Sequence, residues 1–294
     1  MNTQALLDRV STLLDQAGVV QGSFAHAPSG VHMLRLTATT GQDATVYRPL
    51  LCLVLQGAKE VGTQAKTLNV ADGQSLLVSH TVPVVSRITE AARDRPYVAL
   101  VLPLEIDLLR SLAPGVTSPL VASAQDAFSI SLCPTKLEME DALLRYLQQC
   151  ERDDTHRLLA PITRREIHAR LLMGPHAEQL QKLLWHETSA SRIFQATRAI
   201  QTDLSRPLAV GDLARRAAMS SSAFFEHFKA VTGTSPLQYQ KELRLLHARE
   251  ALRSSNQKVS DVAFRVGYES ASQFSREYTR KFGRPPKVDR DATA

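Results

Sequence analysis

The spacing of apolar residues divides this chain into stretches of different period. Residues 3 to 17 repeat apolar positions at helical intervals and predict a first helix. From Val31 to Leu102 the pattern becomes short apolar runs rich in β-branched residues: LLCLVL (Leu50 to Leu55), SLLVS (Ser75 to Ser79), VPVVSRI (Val82 to Ile88) and YVALVL (Tyr97 to Leu102). Turn signals such as QG and ADGQ separate them, and strands that follow one another without helices between predict a sandwich or small barrel. At Pro103 the period changes to three and four. Leu104, Leu108, Leu109 and Leu112, then Leu137, Leu143, Leu144 and Leu147, then Ile162, Ile167, Leu171 and Leu172 fall at helical spacing. The helices of residues 135–187 are expected to pack against the strand domain or against a second subunit. An SAS break at Ser189 to Ser191 places a domain boundary there, giving domains 1–190 and 191–294.

In the last hundred residues the punctuation is dense. A helix is expected from Arg192 to Asp203, stopped ahead of Pro207, and a short one from Val210 to Ala217. Then SSSAFFEHFKAVTG runs from Ser220 to Gly233, with Ser220 or Ser221 as N-cap. SPLQ at Ser235 to Gln238 is a complete start signal for a helix reaching about Arg253. A short helix, Asp261 to Val266, ends at Gly267, and Ser270 to Gln273 reads as another capping box. Gly283 closes that last helix, and Pro285 and Pro286 forbid its continuation.

The segment YESASQFSREYTRKFG, Tyr268 to Gly283, repeats the earlier one. Ser220, Ser222, Phe224, Phe228 and Gly233 fall on Ser270, Ser272, Phe274, Tyr278 and Gly283 at a constant offset of 50. Upstream, with a slip of one residue, Leu213, Ala214, Ala217 and Ala218 fall on Val262, Ala263, Val266 and Gly267. Small residues at the turn let two helices cross closely, so each copy reads as a helix-turn-helix unit. Phe224, Phe228 and Val231, and likewise Phe274 and Tyr278, face the core. Outward lie Ser221, Ser222, Phe225, Glu226 and Lys229 in the first copy, and Ala271, Ser272, Gln273, Arg276 and Arg280 in the second. Two such helices on one connector suit successive major grooves, which recur about every 34 Å. Arg276 matches guanine O6 and N7, and Gln273 matches adenine N6 and N7. The helix N-termini with Ser221, and Lys229, Lys241, Arg280, Lys281 and Arg284, are expected to take phosphates.

Charge supports this division. Residues 191–294 hold 18 Lys and Arg against 10 Asp and Glu, while residues 1–190 hold 17 against 19, so the basic excess sits in the C-terminal third and suggests a polyanionic partner. No run approaches the roughly 18 apolar residues of a membrane span, and the N-terminus lacks the apolar block of a signal peptide, so a cytoplasmic protein is expected. The three cysteines, Cys52, Cys133 and Cys150, form no CxxC pair, which fits neither a disulfide framework nor a zinc site.

At these residues the chain resembles a known family. The segment from about Ile193 to Pro286, with FKAVTGTSPLQYQKELRLLHARE (Phe228 to Glu250) and VAFRVGYESASQFSREYTRKFGRPP (Val262 to Pro286), resembles the DNA-binding domain of the AraC/XylS family of transcription regulators. PLLCLVLQGAKEV (Pro49 to Val61), VPVVSRI and RPYVALVLPLE are similar to the regulatory domain of one AraC-type subfamily, which implies a cupin-like β-fold. The family pattern implies base-facing positions at Ser222, Phe225 and Glu226 and at Ser272, Gln273 and Arg276. Many members have Arg where this chain has Glu226, a carboxylate that must accept from cytosine N4 or turn away from the phosphates.

The remaining signals are weaker. His26, His32 and His80 have no HxH or HxxxE companion, and His168, His176 and His186 are not spaced as ligands, so structural or surface roles are favoured and no metal is expected. Cys52 lies in an apolar strand run, where a buried inert thiol stands against a second reading, an effector residue reacting with an electrophile such as an aldehyde. Lys59 and Glu60 either line a pocket mouth or belong to a solvated hairpin, and the hairpin is favoured. No phosphate-binding glycine loop, GxSxG elbow or HExxH occurs, so no catalytic residue is assigned.

The expectation is thus an α+β chain: an N-terminal cupin-like β-sandwich or barrel with a helical extension, then an all-α domain with two helix-turn-helix motifs. It is read as a transcription regulator without a cofactor, responsive to a small-molecule effector and favoured as an activator. Its expected partners are double-stranded DNA, RNA polymerase and a second copy of itself. The rivals are a cupin-like small-molecule or metal-dependent enzyme with an attached DNA-binding module, and a non-specific architectural DNA binder.

Overall fold

The computed structural model describes residues 2–63, 66–116, 129–184, 188–254 and 257–291, and His186 lies outside these. Helix α1 (Asn2–Gln16) precedes ten strands: β1 (Gly22–His26), β2 (Val31–Leu36), β3 (Asp43–Tyr47), β4 (Leu50–Gln56), β5 (Ala58–Gly62), β6 (Thr67–Ala71), β7 (Gln74–Val78), β8 (Val82–Glu90), β9 (Tyr97–Pro103) and β10 (Ile130–Pro134). They form a six-stranded sheet of order β1-β2-β9-β4-β7-β10 and a four-stranded sheet of order β3-β8-β5-β6, antiparallel throughout.

Strand β4 explains the uninterrupted run LLCLVL. Leu51, Leu53 and Leu55 face a helical layer, whereas Cys52 and Val54 face a core that also holds Val61 of β5, Val70 of β6 and Val82 and Val84 of β8. Strand side chains alternate between the two faces, and both faces here are buried, so no polar residue interrupts the run. Fully burying one such aliphatic side chain stabilises the fold by about 1.5–3 kcal/mol.

The helical layer is α2 (Ile106–Leu112), α3 (Leu137–Gln149), α4 (Asp153–Leu158), α5 (Ala160–Met173) and α6 (Ala177–Leu184). Met139, Leu143 and Leu147 of α3, Ile167 and Leu171 of α5 and Leu180 and Leu183 of α6 share one core with Leu51, Leu53, Leu77 and Leu100 of the sheet. Of the two expectations for residues 135–187, packing on the strand domain is the one observed.

Helix α7 (Ser189–Thr202) corrects the start expected at Arg192. The Thr188 hydroxyl accepts a hydrogen bond from the Ser191 amide at 3.1 Å, so the SAS segment is the first helical turn and not a break. Then come α8 (Val210–Arg216), α9 (Ser221–Thr232), α10 (Pro236–Ser254), α11 (Val259–Arg265), α12 (Ala271–Phe282) and α13 (Pro286–Asp291). Helix α11 starts two residues before the expected Asp261. Helix α13 was not expected: Pro285 and Pro286 do stop α12, but Pro286 serves as the first residue of the next helix, where a missing N–H costs nothing.

Helix α10 belongs to two cores. Tyr239 and Leu243 pack with Leu213, Ala214, Phe224 and Phe228, while Leu245, Ala248 and Leu252 pack with Val262, Ala263, Phe274 and Tyr278. The helical region also rests on the sheets. The Tyr239 hydroxyl donates to the Thr81 carbonyl at 2.7 Å, and the Ser129 amide donates to the Val231 carbonyl at 3.1 Å. Arg249 Nη1 lies 2.8 Å from Asp43 Oδ1, and His80 Nε2 lies 3.0 Å from the Ala190 carbonyl.

Candidate nucleic-acid interface

The two helix-turn-helix units are α8–α9 and α11–α12, and their turns are built alike. Ala218 has φ +50° and Gly267 φ +92°, so the chain passes through the left-handed region at the same place in both. The Met219 amide then donates to Ala214 O, and the Tyr268 amide to Ala263 O, each at 3.0 Å. Ser220 caps α9 by accepting from the Ala223 amide, and Ser270 caps α12 by accepting from the Gln273 amide, both at 3.3 Å. Ser220 rather than Ser221 is therefore the cap, and Ser221 is the first helical residue. Gly233 and Gly283 end the two helices with left-handed φ of +81° and +73°.

Phe224 and Phe228, and Phe274 and Tyr278, are fully buried, so the opposite faces of α9 and α12 are fixed toward solvent. Ser221, Ser222, Phe225, Glu226 and Lys229 are exposed on α9, as are Ser272, Gln273, Arg276 and Arg280 on α12. The side chains of Arg276 and Lys229 make no hydrogen bond or ion pair among the described residues.

Three of the other expected phosphate contacts are already paired. Lys241 Nζ of α10 lies 2.8 Å from Glu277 Oε1, Lys281 Nζ lies 4.0 Å from Glu242 Oε2, and Arg284 Nη1 lies 4.0 Å from Asp289 Oδ1. Glu277 also accepts from the Tyr268 hydroxyl at 2.8 Å and from Gln273 Nε2 at 3.4 Å. The Gln273 side chain thus turns to Glu277, so the second half of the expected capping box is not formed. Burial raises the Glu277 carboxyl, but hydrogen bonds from Lys241, Tyr268 and Gln273 outweigh it and hold the group below its ordinary value.

Two buttresses escaped sequence reasoning. Asp289 of α13 is 1% exposed and receives Tyr278 OH at 2.7 Å, Arg253 Nη2 at 3.0 Å and Arg249 Nε at 3.1 Å. Burial raises its carboxyl, yet the bonds from Tyr278 and Arg253 and the two guanidinium charges leave it lowered. Arg244 of α10 donates to the carbonyls of Leu204 at 2.7 Å, Gly267 at 2.9 Å and Arg206 at 3.0 Å, tying the loop after α7 to the second turn. A cation between Leu243 and Leu245, both buried, was the signal available for it.

In the strand domain, Cys52 is 1% exposed between the sheets, and Lys59 Nζ lies 3.1 Å from its Sγ. This corrects the solvated-hairpin reading of Lys59. The β5 alternation turns Lys59 and Val61 inward, while Glu60 faces outward and takes Arg87 in a two-point ion pair at 2.9 and 3.0 Å. The buried histidines bond to groups other than histidine or cysteine: His26 to Ser29, His80 to Ser79 and Ala190 O, His168 to Arg164 O and the Glu105 amide, and His176 to Ser75 and Ser131. Among the described residues no three His, Cys, Asp or Glu side chains converge as metal ligands. Nor, among those residues, is any helix long and apolar enough to cross a membrane.

Comparison with known proteins matches both halves. Residues 27–179 fit the model of the AraC-type transcriptional regulator N-terminus, and residues 213–292 fit a helix-turn-helix domain. An AraC-like transcription regulator of Streptomyces lividans is 37% identical over 94 residues, 32% of this chain and 31% of that protein. The transcriptional activator RhaR of Yersinia pseudotuberculosis is 30% identical over 120 residues, 41% of this chain and 36% of that protein. The matches therefore span about a third of these relatives. In fold, the chain is similar to ToxT of Vibrio cholerae bound to an unsaturated fatty acid, with a TM-score of 0.58 at 11% identity over 88% of this chain and 93% of that one. An apo ToxT variant gives the same TM-score at 10% identity, over 90% and 97%. With its N-terminal model covering more than half of the sequence and its paired helix-turn-helix units behind it, the chain belongs to the family of AraC-type transcriptional regulators.

Proposed function

We propose that this chain is a sequence-specific transcription activator whose two helix-turn-helix units read adjacent major-groove turns and whose β-rich half responds to a small molecule. The observation that carries this reading is α10, one helix packed into the cores of both units, with the solvent faces of α9 and α12 left open. Arg276 and Gln273 are the direct readers on α12, with Ser272 beside them. On α9, Ser222, Phe225 and Glu226 face the bases, Phe225 suiting a thymine methyl and Glu226 a cytosine amino group. Ser221, Lys229 and Arg280 take phosphates, while Lys241, Lys281 and Arg284 act from within their ion pairs with Glu277, Glu242 and Asp289.

The similarity to RhaR, a transcriptional activator, and to ToxT, which binds an unsaturated fatty acid, supports activation and an effector. We assign the chain no catalytic role, place it in the cytoplasm and infer RNA polymerase as a partner. A homodimer is supported by Leu158 and Ile162, 72% and 65% exposed on the outer side of α4 and α5. Selection of a random-sequence duplex pool at fixed, near-physiological salt tests the reading. Enrichment of a motif spanning two major-groove turns is expected; equal retention of all sequences, with and without candidate effectors, would overturn it.

A further inference from the structure

Between the two sheets lies a pair of nucleophiles that DNA recognition does not use. Cys52 of β4 and Lys59 of β5 are seven positions apart, and both turn into the core that the six-stranded and four-stranded sheets share. Lys59 Nζ donates to Cys52 Sγ at 3.1 Å. Gly57 turns the chain between the two strands with φ +81°, and a Cβ on it would collide with the Glu90 carbonyl, so packing fixes the corner that sets this distance.

A lysine buried in a strand core ordinarily meets a carboxylate, because a charged head removed from water needs a counter-charge. Among the described residues no carboxylate pairs with Lys59. Its Nζ faces the Cys52 sulfur, the half-buried Tyr47 ring at 5.5 Å and the Tyr97 hydroxyl. Burial pushes the Tyr97 hydroxyl well above its ordinary value, so it stays neutral and the sulfur is left as the partner. A thiol with a lysine at its sulfur stands in the surroundings where cysteines react, and here the amine is already within reach of that sulfur.

We propose that Cys52 and Lys59 are a modification site: a peroxide joins them through a reversible sulfenamide bond between Sγ and Nζ, which ties β4 of one sheet to β5 of the other. The Cys52 sulfur attacks one oxygen of hydrogen peroxide. The S–O bond forms as the O–O bond breaks, and the hydroxide released leaves as water with the proton that Sγ and Nζ share. Nζ then attacks the sulfenic sulfur; the S–N bond forms as the S–O bond breaks, and the second hydroxide leaves as water with an amine proton. Sulfur gives up two electrons and the peroxide takes them. A dithiol reverses the link, restoring thiol and amine as it becomes a disulfide. Neither DNA nor a small-molecule effector enters this chemistry, so it stands or falls apart from the regulator reading.

The test treats the full chain with hydrogen peroxide, alkylates the remaining thiols with N-ethylmaleimide in denaturant and digests with trypsin without reductant. Trypsin cuts after a free Lys59 but not between Arg48 and Pro49, so the reduced chain gives peptide 36–59 with Cys52 alkylated. The linked chain is expected to give peptide 36–66, uncut at Lys59, unalkylated and lighter by two hydrogen atoms than its reduced form. Dithiothreitol before alkylation should return peptide 36–59. Lys59→Met keeps the thiol and removes the amine, so its Cys52 should stop at the sulfenic acid, which dimedone traps. Unchanged cleavage after Lys59, a sulfenic or sulfinic Cys52 beside a free Lys59 in the wild-type chain, or equal dimedone labelling of wild type and Lys59→Met would overturn the link. An uncut peptide that also carries one added oxygen would overturn the S–N bond. Should Lys59→Met not fold, the wild-type peptides decide, because they need no variant.

Discussion

Ala218 stands in the first helix-turn-helix unit where Gly267 stands in the second, and both have positive φ, +50° and +92°. Only the second is a glycine. A Cβ on Gly267 would lie 2.5 Å from the Ser205 carbonyl oxygen and 2.8 Å from Arg244 Nη2. Gly267→Ala is therefore expected to destabilise the protein by at least about 2 kcal/mol, from left-handed strain plus the clash. Ala218→Gly should be neutral or stabilising by up to about 1 kcal/mol, since relief of strain opposes the greater entropy of an unfolded glycine. Urea unfolding of the two variants checks the asymmetry, and equal responses would refute it.

The readers proposed on α12 and the phosphate contacts proposed on α9 should separate in binding assays. Arg276→Ala is expected to cost about 1–3 kcal/mol at the selected operator and to relax preference at one position. Lys229→Ala should weaken all duplexes alike and lower the salt slope by about 1. Glu277→Gln leaves Lys241 without its ion-pair partner and loosens Gln273, so preference should relax at a second, neighbouring position while overall affinity changes little. Unchanged preference in Glu277→Gln would mean that Gln273 is not positioned by this carboxylate.

Asp289 should be a stability determinant of the second helix-turn-helix unit. Asp289→Asn removes the charge that faces Arg249 and Arg253 and is expected to cost about 3 kcal/mol. The folded carboxyl is lowered, so its contribution is present above the ordinary carboxylate value and is lost as pH falls through the folded value. Comparison of wild type and variant in urea at neutral and strongly acidic pH should show the difference shrinking with acid.

Two histidines make a milder pH dependence. Burial pushes His80 down to about 4, with the hydrogen bond to Ala190 O opposing it, and burial alone does the same to His176. Both stay neutral in the fold while the unfolded chain takes up protons first, so stability is full above about 6.5 and declines as pH falls toward 4. His80→Asn should flatten part of that decline, measured as urea midpoints between pH 7 and roughly 4.5.

The sequence made the recognition helices legible because their signals are local. Ser220, Ser270, Gly233 and Gly283 mark the ends, and paired aromatic residues mark the inner face. The central strands were legible for a related reason: β4 and β9 are buried on both sides and read as unbroken apolar runs. The rest depends on distant partners. Lys59 looked solvated because nothing nearby in sequence shows that β5 turns it toward Cys52. Nothing in the sequence marks Asp289, because its partners lie 36 and 40 positions away on α10 and 11 away on α12. Strand β10 is only five residues long and stands in sequence among segments of helical period, far from the β7 with which it pairs, yet it lies next to a residue that bonds to α9.

Because α10 is continuous through both cores, it also sets a gauge. Each residue added to an α-helix advances its far end by about 1.5 Å and rotates it by about 100°. The distance and angular phase between the two reading heads are thus written into a 19-residue helix and not into a flexible tether. Operators recognised by this chain should tolerate no insertion of a base pair between their two halves, and a change of operator spacing during evolution would require a new α10 rather than new base contacts.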